Sequence, residues 1–243
     1  MSNFPGSNLG GPYGAQAVDY ETQIDRSVLV RFFNTVYAWM ASGLALTAVV
    51  AWYVSTQPEL IKRLGTGTFL LLFVVEIGLV VVISGAINRI NAAMATALFM
   101  LYSAINGVTL TGIFLLYTHA SITSTFIVTA GMFAAMSVYG MVTRTDLTRL
   151  GAILFMALIG LIIASVVNIF LHSGMMEWII SLVGVVIFAG LTAYDTQKLK
   201  MIAAATQNNA AMASRLAISG ALSLYLDFLN LFLLLLRLMG DRR

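Results

Sequence analysis

Seven long apolar runs, separated by short polar connections, dominate the pattern of hydrophobic and polar positions along this chain. Each run has about 20 residues or more, which is the length that an α-helix needs to cross the hydrocarbon core of a bilayer. The pattern therefore predicts seven membrane-spanning helices, here called spans 1 to 7, and the short connections predict a compact bundle of antiparallel neighbours. The predicted spans lie near residues 32–54, 68–88, 92–117, 121–142, 150–171, 176–198 and 215–238.

The first 27 residues have a different pattern from the rest of the chain. They are rich in Gly, Asn, Ser and Gln and contain no apolar core, so residues 1–27 are predicted to form a flexible polar tail rather than a cleavable signal. Residues 28–240 are predicted to form one transmembrane domain, because nothing marks a boundary between two domains. All three prolines lie outside the apolar runs, so no span should be broken by proline.

The composition supports this assignment to the membrane. Hydrophobic residues make up 60% of the chain, charged residues make up 9%, and the mean hydropathy is +0.93. Soluble domains carry about a quarter charged residues, so the fold class is an all-α membrane protein. The formal charge of +3 is too small and too scattered to indicate nucleic-acid binding, and without cysteine the chain has no disulfides or thiolate metal sites.

The lysines and arginines favour a cytoplasmic amino terminus. Segments that flank the spans on the cytoplasmic side of a membrane protein carry an excess of Lys and Arg. With the amino terminus inside, the cytoplasmic side receives Arg26, Arg31, Arg89, Arg144, Arg149, Lys198, Lys200 and Arg215, and the outer side receives Lys62, Arg63, Arg237, Arg242 and Arg243. Because the number of spans is odd, the carboxy terminus is then predicted to lie outside.

Three acidic residues lie well within the apolar runs: Glu76 in span 2, Asp195 near the end of span 6, and Asp227 in the middle of span 7. A charge in hydrocarbon costs a few kcal/mol, so such an acid is expected to face protein or a water-filled cavity and to have a partner. Asp195 and Asp227 can face each other across the hairpin of spans 6 and 7 if an interfacial stretch at residues 210–215 absorbs a depth offset of roughly 9 Å. Alternatively, each acid only specifies helix packing.

Asp227 also belongs to a polar stripe on span 7. At helical spacing Ser219, Ser223, Asp227 and Asn230 fall on one face, with Arg237 two turns further along. Two carboxyls within hydrogen-bond distance in a low dielectric tend to share one proton, and their mutual repulsion favours separation when both ionise. Ionised carboxylates are hard ligands suited to Ca²⁺. The pattern therefore predicts a pH-sensitive gate that binds Ca²⁺ transiently and needs no tightly bound cofactor.

Four further residues are accessory candidates at this gate. Ser223 and Asn230 share the face of Asp227, and Glu76 could add an oxygen ligand or adjust the local field. Arg89 would be the nearest cation to Asp195 if span 2 packed against span 6, and a salt bridge there could close the cytoplasmic mouth. The alternative is that Arg89 only anchors the cytoplasmic end of span 2.

Two segments resemble the signature of the transmembrane Bax inhibitor motif family, and its bacterial branch most closely. They are residues 193–197 (AYDTQ) at the end of span 6 and residues 222–232 (LSLYLDFLNLF) in span 7. Residues 36–40 (VYAWM) and 43–47 (GLALT) of span 1, and Glu76 in span 2, look similar to that branch too. The likeness covers about residues 28–240.

This resemblance implies a seven-helix bundle around a central span 7, with a pH-dependent calcium leak governed by Asp195 and Asp227. The chain departs from the family's pattern at the latching arginine that closes span 2. The position eleven residues after Glu76 is Ile87, and Arg89 comes two residues later.

The residues and the resemblance together predict a non-enzymatic, pH-sensitive calcium leak channel in a bacterial inner membrane, whose partners are the lipid bilayer, calcium ions and protons. The alternative is a non-conducting regulator that binds a membrane protease or cell-death machinery through its polar tail, since some bacterial relatives are known as modulators of a membrane-bound protease. A third possibility, an intramembrane aspartyl protease, is disfavoured because residues 224–227 (LYLD) lack the Gly-x-Gly-Asp pattern of such enzymes.

Overall fold

The computed structural model describes residues 26–63, 65–87 and 89–242. Seven helices of this part are long and apolar enough to cross a membrane, which confirms the predicted all-α fold with seven spans. The flexible tail predicted for residues 1–27 lies outside the described residues, except that Arg26 and Ser27 begin span 1.

The spans have the bounds Arg26–Ser55, Thr66–Ala86, Ala92–Leu116, His119–Val142, Thr148–Leu171, Gly174–Ala205 and Ala210–Met239. Span 3 is interrupted at Leu110, and a short helix, Pro58–Arg63, connects spans 1 and 2. The largest differences from the predicted bounds lie at the start of span 1 and in the hairpin of spans 6 and 7. There the helices run on to Ala205 and restart at Ala210, so residues 210–215 belong to span 7 and are not a separate interfacial stretch.

Polar side chains in the short connections cap the first turns of the helices that follow them. The first N–H groups of a helix have no partner within the helix, and a side-chain oxygen just before the first turn can accept from them. Asn91 accepts from the Met94 N–H at 2.8 Å at the start of span 3, and Asn209 accepts from the Met212 N–H at 3.0 Å at the start of span 7. Thr118 and Ser173 cap spans 4 and 6 in the same way.

Span 7 lies at the centre of the bundle, as the family resemblance implies. Within its most apolar 18-residue stretch 72% of the residues are buried, against 11% for span 2 and 6% for span 5. Span 7 packs against spans 1, 3, 4 and 6, whereas span 2 packs chiefly against span 3 and span 5 chiefly against span 6. The side of span 7 that faces span 5 is consequently covered less tightly than the others.

Candidate functional site

A cavity of about 480 Å³ lies between spans 5, 6 and 7. Its lining includes Asp195 from span 6 and Ser223, Asp227 and Asn230 from span 7. The volume is within the range of ligand-binding pockets, roughly 300–1,000 Å³. The fold therefore brings both predicted aspartates, and two of the four accessory candidates, to the wall of one cavity.

Asp227 is the buried acid of this cavity. Its side chain sits in the middle of the central helix, only 5% of the residue is exposed, and its Oδ2 atom has no hydrogen-bond partner among the described residues. Buried polar atoms nearly always have a partner, because an unpaired one loses its interaction with water without replacement. Because Asp227 lines the cavity, this buried oxygen could accept from water or coordinate a cation once a shift of the side chain exposes it to the cavity.

Asp195 is half-buried and lies near the cytoplasmic end that was predicted for span 6. It interacts electrostatically with Asp227 and, one turn further along its own helix, with Lys198. Because Oδ2 of Asp227 makes no hydrogen bond within the described part of the chain, that oxygen shares no proton with Asp195 in this conformation. Sharing of one proton by the pair therefore stays a prediction.

Close packing of two glycines holds the helix around Asp195. A Cβ atom on Gly140 of span 4 would collide with the backbone of Ala193, and one on Gly151 of span 5 would lie 2.5–2.7 Å from the ring of Tyr194. Only glycine lets the neighbouring backbones approach so closely. The two residues that precede Asp195 are therefore packed tightly against spans 4 and 5.

Hydrogen bonds fix the residues that follow Asp195. The hydroxyls of Thr196 and Ser137 lie 2.9 Å apart, and Ser137 is in turn 2.5 Å from the Tyr37 hydroxyl of span 1. Gln197 accepts from the Leu147 N–H and donates to the Thr145 carbonyl, both at 2.8 Å, which ties span 6 to the turn between spans 4 and 5. The contacts of residues 193–197 thus fix the position of the Asp195 carboxyl.

Glu76 is buried, but it does not line the cavity of the two aspartates. Span 2 packs against span 3, and there Glu76 Oε1 lies 2.8 Å from the Thr109 hydroxyl. That hydroxyl is also 2.9 Å from the Asn106 carbonyl and has only one proton to donate, so it can serve one acceptor at a time. The structure therefore places the predicted accessory acid in a separate polar cluster.

Arg89 is not brought to Asp195 either. It is exposed in the turn after span 2, it forms no ion pair with the described residues, and it is absent from the cavity lining. The predicted latch required span 2 to pack against span 6, whereas span 2 packs chiefly against span 3. Ile87, which stands at the family's arginine position, is buried among apolar side chains.

Sequence reasoning missed a hydrogen-bonded chain on the opposite side of span 7. Tyr225 is fully buried, and its hydroxyl lies 2.6 Å from the Thr47 hydroxyl, which also lies 2.8 Å from the Ser103 carbonyl. Since a carbonyl can only accept, Thr47 donates to Ser103 and Tyr225 donates to Thr47. The signal was available, because a tyrosine in an apolar run needs a partner for its hydroxyl.

Sequence reasoning also missed a charged cluster at the far end of the cavity. Arg237 lines this end, and its Nε atom lies 3.6 Å from Oε1 of Glu177, at the start of span 6. Arg242 reaches the same oxygen with Nη2 at 3.4 Å. The start of span 6 and the end of span 7 meet at one membrane face in an antiparallel hairpin, so this pairing could have been predicted.

Comparison with known proteins gives a consistent result. Residues 29–243 match the sequence model of the family described as "Inhibitor of apoptosis-promoting Bax1". The chain is 49% identical over 221 residues to "Inner membrane protein YbhL" of Escherichia coli strain K12, which covers 90% of this chain and 94% of that protein. It is 46% identical over 227 residues to an uncharacterized protein of Borreliella burgdorferi, covering 91% and 97% of the two chains. The resemblance drawn from spans 1, 2, 6 and 7 is confirmed.

Proposed function

Because this chain is an integral membrane protein that belongs to the Bax inhibitor-like family, we propose that it is a calcium leak channel gated by Asp195 and Asp227. One observation carries the proposal: both carboxyls line the same cavity beside the central helix, and one of them has a buried oxygen without a partner among the described residues. Acids inside a membrane protein typically mark ion or proton pathways.

The donor set of the cavity suits a hard cation. Asp195 of span 6 and Ser223, Asp227 and Asn230 of span 7 line the cavity, and their side chains carry carboxyl, hydroxyl and amide oxygens. Asn230 donates its amide N–H to the Leu226 carbonyl at 2.8 Å, so its Oδ1 atom remains an acceptor. Ca²⁺ takes about six to eight oxygen ligands, so an ion bound by these few groups would keep part of its water shell. Weak, partly hydrated binding is what permeation requires, because the ion must also leave.

The same pair explains why the leak should depend on pH. Two ionised carboxylates in a low dielectric repel each other and attract Ca²⁺, whereas a proton on either one removes the repulsion and half of the negative charge that attracts Ca²⁺. We therefore expect calcium flux to rise as the pair loses its protons with rising pH. A permeant Ca²⁺ ion and protons are the only small partners that this mechanism needs.

The test is calcium flux into liposomes that contain the purified chain and a trapped calcium dye. Asp195→Asn and Asp227→Asn should change the flux and abolish its dependence on pH, because Asn cannot exchange the proton. Glu59→Gln is the control, since Glu59 is an exposed acid in the connection between spans 1 and 2 and does not line the cavity. Flux and pH dependence identical to wild type in both cavity variants would remove the gate from these residues.

We also propose that the chain lies in a bacterial inner membrane, with its amino terminus in the cytoplasm and its carboxy terminus outside. The name of the relative, "Inner membrane protein YbhL", assigns that protein to the inner membrane, and the distribution of Lys and Arg favours this orientation. Because the chain has no cysteine, single cysteines can be introduced cleanly. Asn208→Cys should react with an impermeant maleimide only from the cytoplasmic side, and Ser173→Cys only from outside.

The regulatory alternative remains separable from the leak by one deletion. A regulator that acts on a membrane protease through its polar tail should lose its effect when residues 1–25 are removed, whereas a leak should keep its flux. The proposal includes neither catalysis nor a tightly bound cofactor. Cleavage of a model transmembrane substrate that is lost in both Asp195→Asn and Asp227→Asn would contradict that part of it.

A further inference from the structure

The cavity beside span 7 has two ends of different character. Asp227 lies at one level, and Arg237 lies ten positions further along the same helix, at the carboxy-terminal end of the cavity. Ten residues of α-helix extend about 15 Å. Half of a hydrocarbon core of roughly 30 Å is also about 15 Å. The stretch from Arg237 to Asp227 therefore matches the depth of one leaflet.

Apart from Asn230, close to Asp227, and Ser165 of span 5, the walls between these two levels are apolar, and they come from all three spans. The apolar lining side chains there are Leu158, Leu161, Ile162, Ile180, Leu233 and Leu234. Span 5 packs chiefly against span 6, and its one buried residue is Gly151, near its other end. Because span 5 does not pack closely against span 7, this part of the cavity is a groove between the two spans.

The carboxy-terminal end of the groove carries two arginines. Arg237 and Arg242 share the single carboxylate of Glu177. The other acid at this end, Asp241, accepts from the Ser121 hydroxyl at 3.5 Å and forms no ion pair with either arginine. The side chain of Arg237 is 42% exposed, so it can reach a ligand at the membrane interface. A guanidinium group has five N–H donors in a planar fork that suits a phosphate, and bonds between charged partners are about twice as strong as neutral ones.

Arg242 is held in place by the end of the chain itself. The Asp241 N–H donates to the Ser121 hydroxyl at 3.0 Å, and the Thr118 N–H donates to the Asp241 carbonyl at 3.2 Å. The Arg242 guanidinium also lies 6.0 Å from the centre of the Tyr117 ring. These contacts join residues 240–242 to the turn between spans 3 and 4, so the second arginine is positioned before any ligand arrives.

We propose that this groove binds one phospholipid from the leaflet on the carboxy-terminal side of the membrane. The lipid phosphate binds Arg237 and Arg242, and one acyl chain lies along spans 5 and 7 and ends near the level of Asp227. Binding stands whether or not the chain conducts ions. That a bound acyl chain would narrow the ion path at the aspartates rests on the proposed calcium leak.

The experiment measures how much phosphatidylglycerol stays bound to the purified full-length chain, by native mass spectrometry after stepwise removal of lipid with detergent. Wild type should retain one lipid. Arg237→Gln should reduce that retention at least fivefold because it removes the phosphate ligand, and Leu158→Trp should do so because it fills the groove. Arg149→Gln, an exposed arginine at the opposite end of span 5, is the matched control and should retain the lipid.

Two further measurements complete the experiment. Asp227→Asn should keep the lipid while changing calcium flux, so that loss of the leak and loss of the lipid site are distinguishable. Inorganic phosphate alone should not displace the lipid, because the acyl chain contributes to binding. Equal retention by wild type, Arg237→Gln and Leu158→Trp would overturn the proposal. Displacement by inorganic phosphate would also overturn it, by identifying a free anion as the ligand.

Discussion

Polar side chains on the two sides of span 7 have opposite surroundings. Toward spans 1 and 3, Tyr225 donates to Thr47, and the rings of Phe99 and Tyr102 pack edge-on against it with ring centres 5.6 and 5.8 Å away. Toward span 5, Asp227 faces a cavity, and its Oδ2 atom has no partner among the described residues. The aspartate is two positions after the tyrosine, and an α-helix places residues with this spacing on nearly opposite faces.

The difference comes from the neighbours of span 7. Spans 1 and 3 press directly against it, so a polar group on that side must find its partner within the protein. Span 5 stands away from it, so a polar group on the other side can serve a ligand. A polar residue in a buried helix is therefore structural or functional according to what packs opposite it. We call the side of span 7 that faces spans 1 and 3 the closed side and the side that faces span 5 the open side. The two sides should respond differently to the same substitution.

The largest contrast should come from placing leucine on each side. Ser103, on the closed side, is fully buried, and a Cβ on the adjacent Gly43 would already lie 2.9 Å from its hydroxyl. Ser103→Leu should lower the free energy of unfolding by about 3 kcal/mol, because overpacking forces neighbouring side chains from their positions. Ser223→Leu, on the open side, should cost less than about 1 kcal/mol because the cavity accepts the larger side chain. Unfolding in detergent micelles measures both, and equal losses would contradict the comparison.

A smaller contrast should come from adding one methyl group. A Cβ on Gly107 of span 3 would lie 2.7 Å from the Thr47 carbonyl oxygen and 2.7 Å from Cβ of Val50. Gly107→Ala should therefore cost about 2 kcal/mol, since a backbone atom cannot move aside as a flexible side chain can. Gly160 of span 5 has nothing within 4 Å of its Cβ position, so Gly160→Ala should change stability by no more than about 0.5 kcal/mol. A matching loss at both glycines would show that span 5 packs as tightly as span 3.

The hydrogen-bonded chain of the closed side should contribute a coupled effect. Thr47→Val keeps the shape of the side chain but leaves the Tyr225 hydroxyl and the Ser103 carbonyl without their partner, at a cost of about 1–2 kcal/mol. Tyr225→Phe should cost about 1 kcal/mol less in the Thr47→Val variant than in wild type, because in that variant it removes a hydroxyl that has already lost its partner. Thr35→Val, at a half-buried position of the same span where the hydroxyl bonds only within its own helix, is the control. Strict additivity in the double variant would mean that the two hydroxyls do not interact.

The smallest effect should come from Asp146, an exposed residue before span 5 that lies on neither side of span 7. Hydrogen bonds from Thr148, at the start of span 5, hold the pKa of Asp146 below its ordinary value; the Thr148 N–H donates to Asp146 Oδ1 at 2.9 Å. A carboxyl whose pKa is lower in the folded state stabilises that state above its unfolded pKa, about 3.9. Wild type should therefore unfold at a slightly higher temperature than Asp146→Ala at pH 7, and this advantage should vanish as the pH falls below about 4. An advantage that persists at pH 2.5 would assign the effect to something other than the charge.

The bundle could be predicted from sequence more completely than the site. The seven spans follow from run length, because the bilayer requires about 20 apolar residues per helix. The end of span 6 was predicted too early, since Lys198 and Lys200 interrupt the apolar run while the helix continues past them to Ala205. Asp195 and Asp227 were predicted together because spans 6 and 7 are consecutive, and neighbours along a short hairpin must pack side by side.

The positions of Glu76 and Arg89 could not be predicted from sequence. Both lie on or just after span 2, whose sequence is apolar all round and therefore does not reveal which helix it packs against. The structure packs span 2 against span 3, which takes Glu76 to Thr109 and leaves Arg89 exposed. Neither residue reaches the cavity for that reason.

The sequence by itself determined that this chain crosses the membrane seven times, that it belongs to the Bax inhibitor-like family, and which three acids lie inside the bilayer. These properties are local, because hydrophobic length and short motifs act within one helix or one hairpin. Only the tertiary structure decided that Asp195 and Asp227 share a cavity while Glu76 lies elsewhere, and that the cavity ends at Arg237. In a bilayer every outward helix face is apolar, so the choice of neighbours depends on small residues and polar partners from distant parts of the chain.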